Sequence, residues 1–380
     1  MANEHTKSKA ICEALRRELQ GGRSSSRSLP SERALMRRFA AARVTVRRAL
    51  DELQAEGLVV RRVGKGTFPS KRAGLIPGRI GLIVLSYAEI FAPICAEIAR
   101  LCRERSIDLL FGDVSALDYT ARAEQALRFA RDFVERRVSG VILQPIGFVE
   151  NAVRINAEIR SLFEAANVPM VLLDSSWPDG LGEADVVGID NFRCGQTLAE
   201  HLLSQGARRC LFLTRRHAPP SNILRAQGLR SLMDCVLLQM EPDNAAALRK
   251  ALKRHRPDAI ACGYDVYAAN ILKTLGGLDV SVPGDILLTG FDDVKYASLV
   301  SPPLTTVHQP CADIARAAFE TLLARTVESN RAPRAILLSA PLVARESSSP
   351  NHLTKKRSKS GLGAKTFSCK VMPLSCRLPA

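Results

Sequence analysis

RVTVRRAL, residues 43–50, decides how the first part of the chain is read. At 100° per residue, Val46, Leu50 and Leu53 fall on one side of a helix spanning about Arg43 to Glu56, with Gly57 at a C′ position. That apolar side needs a core, and the flanking sequence supplies one. Upstream, Ile11, Leu15 and Leu19 recur every four residues in a helix from about Ser8 to Gln20, stopped by Gly21 and Gly22. After the loop RSSSRSLP, Ser31 has the character of an N-cap, and SERALMRRFA follows as a second helix with Leu35 and Phe39 inward. Ala40–Ala42 forms a short turn into the RVTVRRAL helix. Downstream, LVVRRVGKGTF reads as a strand, a Gly-Lys-Gly turn and a second short strand. The expected unit, residues 1–70, is three helices plus a β-wing: a winged helix-turn-helix.

If Val46, Leu50 and Leu53 point inward, Arg43, Thr45, Arg47 and Arg48 lie on or near the outer faces. They sit at the N-terminal end of the third helix, the end that enters the major groove in helix-turn-helix proteins. Arginine there grips guanine with two hydrogen bonds or pairs with phosphate, and threonine meets phosphate or a thymine methyl. Lys65, at the wing tip between two glycines, reaches toward the neighbouring backbone or minor groove. The charge distribution agrees. Of a net charge of +16, residues 1–75 hold 17 basic against 7 acidic side chains, and residues 347–380 hold 7 against none. Residues 76–346 are nearly neutral, with 30 against 31. A basic excess concentrated on a small module points to nucleic acid.

Four blocks, LPSER (29–33), RVTVRRAL (43–50), EGLVVRR (56–62) and GKGTF (64–68), resemble the DNA-binding domain of GntR-type regulators in order and spacing. The resemblance implies that Arg33, Arg43, Thr45, Arg47 and Gly66 lie at the DNA surface; Arg48, Lys65 and Thr67 complete the expected set. Ala42 departs from the pattern, since a serine usually precedes the arginine.

Residues 71–78 mix Gly, Pro and charge without periodicity and read as a linker. From Ile80 the pattern changes. IGLIVL (80–85), IDLLF (107–111), SGVILQ (139–144), VPMVLL (168–173), RCLFLT (209–214), DAIACG (258–263) and GDILLTG (284–290) read as buried strands separated by helical stretches. This is the alternation of βαβ units, with parallel sheets covered by helices on both faces. About 270 residues exceed one compact sheet, so two doubly wound subdomains with a cleft are expected over 79–346. Ligands in such folds bind at the carboxyl ends of strands. The polar residues found there are Ser86, Glu89, Gln144, Asp174 with Trp177, Asp190-Asn191, Arg225, Asp265 and Asp292-Asp293. Carboxylates and amides matched to hydroxyl pairs, with one aromatic, suit a polyhydroxylated ligand. Helix capping is an equal alternative for Asp190, Asp265 and Asp292, each of which precedes a helical stretch.

VVGIDNFRCGQTLAEHLLSQGARR (186–209), R-x-x-GLRSLM (225–233), PDAIACGYDVYAANIL (257–272) and GDILLTGFDDVKYASLVSPPLTTVHQP (284–310) resemble LacI-type effector domains, which share the periplasmic-binding-protein fold. The resemblance implies ligand contacts from Asp190, Arg225, Asp265 and Asp292, with Trp177 where a stacking aromatic is often placed. It implies chain crossings between subdomains near Asp174–Pro178, Val307–Pro310 and Arg334–Leu338. Two features depart from it. Tyr264 stands where asparagine is usual, and the segment Asp234–Pro242 is short. A GntR-type reader joined to a LacI-type sensor resembles the arabinose-repressor architecture. No counterpart of a groove-binding hinge helix is seen in 71–78, so the signal is expected to pass through dimer geometry.

No GxSxG, P-loop, GxGxxG or HExxH pattern marks a catalytic site, and neither ten scattered cysteines nor six histidines have metal-ligand spacing. No apolar run reaches the ~18 residues that cross a bilayer, and the N-terminal segment lacks an apolar signal core. Residues 347–380, basic and aperiodic, read as a disordered tail. The expectation is a cytoplasmic, homodimeric repressor, nucleoid-associated when bound. Its partners are a double-stranded operator and a small, sugar-like effector, with no cofactor, catalysis or membrane. An alternative keeps the DNA reader but makes the sensor vestigial.

Overall fold

The computed structural model describes residues 2–20, 29–55, 58–62, 66–69, 78–85, 90–113, 118–178, 182–328 and 331–349. The N-terminal unit has helices α1 (Ala2–Gln20), α2 (Glu32–Phe39) and α3 (Arg43–Ala55), then strands β1 (Val59–Arg62) and β2 (Gly66–Pro69). Ile11, Leu15 and Leu19 of α1 pack with Leu35 of α2, Val46, Leu50 and Leu53 of α3, and Leu58 and Val59. Ser31 caps α2 by accepting the Ala34 amide at 3.3 Å. Ala40, at φ 44°, closes α2 in the left-handed region and turns the chain toward α3. β1 and β2 pair antiparallel from Val59↔Pro69 to Arg62↔Gly66, and the Leu29 amide donates to the Thr67 carbonyl at 2.8 Å. Gly57, Lys65 and the linker up to residue 77 lie outside the described residues.

The second unit begins with β3 (Arg79–Val84), α4 (Phe91–Glu104), β4 (Asp108–Asp113), α5 (Tyr119–Glu135), β5 (Val141–Leu143), α6 (Ala152–Ala165), β6 (Met170–Leu173) and β7 (Asp185–Ile189). It continues with α7 (Asn191–Ser204), β8 (Arg209–Thr214), α8 (Pro220–Arg230), β9 (Asp234–Gln239), α9 (Ala245–His255), β10 (Ala259–Cys262), α10 (Asp265–Gly276), β11 (Leu287–Thr289), α11 (Lys295–Leu299) and β12 (Thr306–Val307). The chain closes with α12 (Cys311–Val327), β13 (Ala335–Leu338), β14 (Leu342–Val343) and a 3-10 turn, Glu346–Ser348. Ten of the strands make two parallel sheets, β13-β7-β6-β5-β3-β4 and β11-β10-β8-β9, and β12 and β14 form a short antiparallel pair. The two parallel sheets are the two expected subdomains.

Three boundaries differ from the sequence reading. First, the chain does not cross at Asp174–Pro178, because β7 returns to the first sheet and pairs with β6 from Val171↔Asp185 to Leu173↔Val187. The crossing follows at residues 189–191. Second, Arg334–Leu338 is not a crossing either. β13 runs in register beside β7, and the chain passes over only after it, at residues 339–341. Third, the folded chain does not stop at residue 346. Ser347 and Ser348 are buried, because Ser347 Oγ donates to the Leu288 carbonyl at 2.6 Å and Ser348 bonds Thr305 at 2.6 Å. The segment from Asp234, short as it is, still contributes a full edge strand in register with β8. The rest of the tail lies outside the described residues.

Candidate functional site

On the N-terminal unit the arginine side chains of α3 stand outward: Arg43, Arg47 and Arg48 are 67%, 58% and 56% exposed. Glu32, the first residue of α2, accepts Nε–H of both Arg43 (3.3 Å) and Arg47 (3.4 Å). Partial burial works against the Glu32 charge, but these two hydrogen bonds outweigh it and hold the carboxyl below its usual range. Arg33 is exposed one residue on, and Gly66, at φ +105°, starts β2 in a conformation that L side chains rarely adopt. Thr67 is half-buried beside it. Thr45 is the exception, being 5% exposed. Ala49 joins Val46, Leu50 and Leu53 in the core, and this widens the buried stripe toward the Thr45 side of the helix. Val44, the neighbour of Thr45, is by contrast 77% exposed.

In the second unit the site is organised by Arg225, 2% exposed on α8. Its Nε donates to Asn191 Oδ1 and its NH1 to the Gly263 carbonyl, both at 2.7 Å. The guanidinium stands 3.6 Å from Asp174 Oδ1 and 3.9 Å from Asp292 Oδ1, and 4.6 Å over the Phe291 ring. Asp292 in turn accepts from Gln309 Nε2 at 2.8 Å. Close helix packing makes this reach possible. A Cβ on Gly195 of α7 would lie 2.2 Å from the Arg225 carbonyl, and one on Gly228 would lie 2.1 Å from the Phe192 carbonyl. Asp174, Asp292 and Asp293 have φ of 66°, 110° and 56°, so strained backbone gathers at two strand ends around one cation. A cavity of about 740 Å³ adjoins Asp292 and Gln309, between the start of α4 (Ile90, Pro93) and α11 (Tyr296, Leu299).

Residues 7–68 match the gntR family of bacterial regulatory proteins, and residues 199–348 match the periplasmic-binding-protein-like domain. The chain joins a GntR-type helix-turn-helix segment to a periplasmic-binding-protein-like sensor domain. The chain is 26% identical to the transcriptional repressor PurR of Escherichia coli O1:K1 over 282 residues, covering 70% of this chain and 79% of PurR. It superposes on the transcriptional regulator CelR in complex with cellobiose (TM-score 0.60, 22% identity, 81% of this chain and 91% of CelR). It also superposes on the transcription regulator GntR of Chromobacterium violaceum (TM-score 0.56, 25% identity, 71% of this chain and 99% of that one). These relatives are regulators of transcription and not enzymes. No helix among the described residues is long and apolar enough to cross a membrane.

Several residues expected at the regulator's cleft serve the fold. Asp190 Oδ1 caps α7 on the Arg193 amide at 2.9 Å. Asp265, 1% exposed, accepts Thr306 Oγ1 at 2.7 Å and the Val294 amide at 3.1 Å, tying α10 to the segment after β11. Burial pushes its carboxyl up to about 7. Trp177 does not offer a free ring face: it is 4% exposed and packed in the hydrophobic core of the first subdomain. Gln144 Oε1 accepts the Leu85 amide at 3.0 Å, linking β5 to β3. Ser86 and Glu89 lie outside the described residues. Arg225 and Asp292 are brought together. Asn191, which the sequence places beside Asp190 at the same strand end, is the direct partner of Arg225.

Proposed function

We propose that the regulator is a homodimeric repressor whose two α3 helices enter successive major grooves of a pseudo-palindromic operator. Arg43, Arg47, Arg48 and Arg33 supply base and phosphate contacts, and Lys65, Gly66 and Thr67 follow the adjacent backbone. A small carbohydrate-like effector binds beside Arg225 and Asp292 and shifts the balance between two arrangements of the subdomains, and through it the operator affinity. The observation that carries this reading is the buried Arg225, which contacts Asp174 of one subdomain and Asp292 of the other. A charge so placed makes subdomain geometry sensitive to any ligand that competes for it. The bound cellobiose of CelR favours a carbohydrate as that ligand. The test is fluorescence anisotropy on promoter fragments, with and without a panel of mono- and disaccharides. A sugar that changes affinity for one fragment supports the reading. Tight operator binding indifferent to every sugar selects the second reading, a reader with a vestigial sensor, which the internal satisfaction of the Arg225 hydrogen bonds favours.

A further inference from the structure

We propose that Tyr264 decides what the cleft admits, because its own phenol occupies the space between the two subdomains. Tyr264 stands at the carboxyl end of β10, the side of a doubly wound sheet where ligands bind. Its ring meets Phe148 of the first subdomain at 5.7 Å and Tyr267 behind it at 5.6 Å, and Phe148 meets Tyr119 of α5 at 5.5 Å. Four tilted rings thus run from one subdomain into the other, within the separations at which aromatic pairs attract.

Polar contacts close the rim. Arg215 Nε donates to the Tyr264 hydroxyl at 3.0 Å. The Arg215 guanidinium also lies 5.5 Å over the Tyr119 ring and pairs with Glu241. Beside the rings, the Phe148 amide donates to the His217 carbonyl across the cleft at 2.7 Å, with Phe148 held at φ 61°. Burial keeps the Tyr264 phenol neutral, well above its usual range, so it holds a proton to donate within this network.

These contacts, the Tyr264–Phe148 ring pair and the Phe148–His217 hydrogen bond, hold the subdomains together without a ligand. Sugar-sized effectors therefore enter this side of the cleft only as the phenol leaves, and apparent affinity falls with the fraction of open molecules. Asparagine, usual at this position in the resembling family, is too short to reach Phe148. The gating role rests on the proposed effector site, whereas the ring contact between the subdomains can be tested without any effector.

Hydrogen exchange of the full-length chain, without ligand, tests it at the Phe148 amide. Wild type is expected to protect that amide. Tyr264→Asn is expected to speed its exchange by at least about tenfold, as local opening becomes cheaper, and to raise the radius of gyration. Tyr264→Phe keeps the rings but drops the Arg215 hydrogen bond, so it should fall between the two. Equal protection in wild type and Tyr264→Asn overturns the proposal. Should the asparagine variant not fold, Tyr264→Phe carries the test, and unchanged exchange in it overturns the proposal. The sugar panel addresses the effector separately, so either idea fails without the other.

Discussion

Arg225 and Asp174 stand 3.6 Å apart, with the guanidinium 3% and the carboxylate 15% exposed, and they belong to different subdomains. Removing one member of a buried ion pair costs more than the pair itself contributes, because the remaining charge is left desolvated. Arg225→Met is expected to lower the unfolding free energy by about 3–5 kcal/mol. Adding Asp174→Asn should recover part of that loss by removing the stranded carboxylate. Urea unfolding of the single and double variants checks both statements. A single variant as stable as wild type would mean that Arg225 is not the organising charge.

The proposed DNA-reading face gives a prediction in which burial and spacing disagree. Arg43→Ala and Arg47→Ala are each expected to weaken specific operator binding by about 1–3 kcal/mol if they read bases. If they hold only phosphate, they should weaken all sequences alike and flatten the salt dependence. Thr45→Val, by contrast, should leave operator affinity and salt slope unchanged, since Thr45 is 5% exposed and faces the core. Anisotropy titrations over a salt series separate these outcomes, and a large loss of specificity from Thr45→Val would show that the threonine reaches DNA.

Asp265 predicts a pH dependence with a definite sign. Its carboxyl titrates at about 7 in the fold, raised from an ordinary 3.8 by burial. The folded state thus binds a proton that the unfolded chain releases earlier. This contribution to stability is complete below about pH 4 and is lost as pH rises through about 7. Thermal melts should fall between pH 5.5 and 8, and Asp265→Asn should flatten that slope. A slope identical in the variant would assign the titration to another group.

The regular elements were legible because they follow from local rules. The Ser31 cap, the Val46–Leu50–Leu53 stripe and the continuous apolar strands need no knowledge of the partner they pack against. The misplacements have a common cause. Helical spacing fixes the angle of Thr45 on α3, but how wide an arc is covered depends on α1 and α2, and Ala49 extends it. A carboxylate at a strand end looks the same whether it meets a ligand, as proposed for Asp292, or its own fold, as Asp265 does through Thr306. Trp177 reads as a free stacking face only if the loop carrying it stays outside the core. Partners distant in sequence, such as Asp174 and Arg225, leave no local trace.

The end of the fold gives the last prediction. Ser347 Oγ accepts the Thr305 amide at 2.8 Å and donates to the Leu288 carbonyl at 2.6 Å, while Ser348 Oγ bonds His201 Nε2 at 2.8 Å. Each such buried hydrogen bond contributes about 1 kcal/mol, and more is lost when one partner is left unsatisfied. A chain ended after Ser349 should melt like the full-length protein. One ended after Glu346 leaves the Thr305 amide and Leu288 carbonyl without these partners and should lose about 2–4 kcal/mol. Both truncations remove the basic segment beyond residue 350, so they share any loss of non-specific DNA affinity and differ only in stability. Equal melting temperatures for the two would place the end of the fold before Ser347.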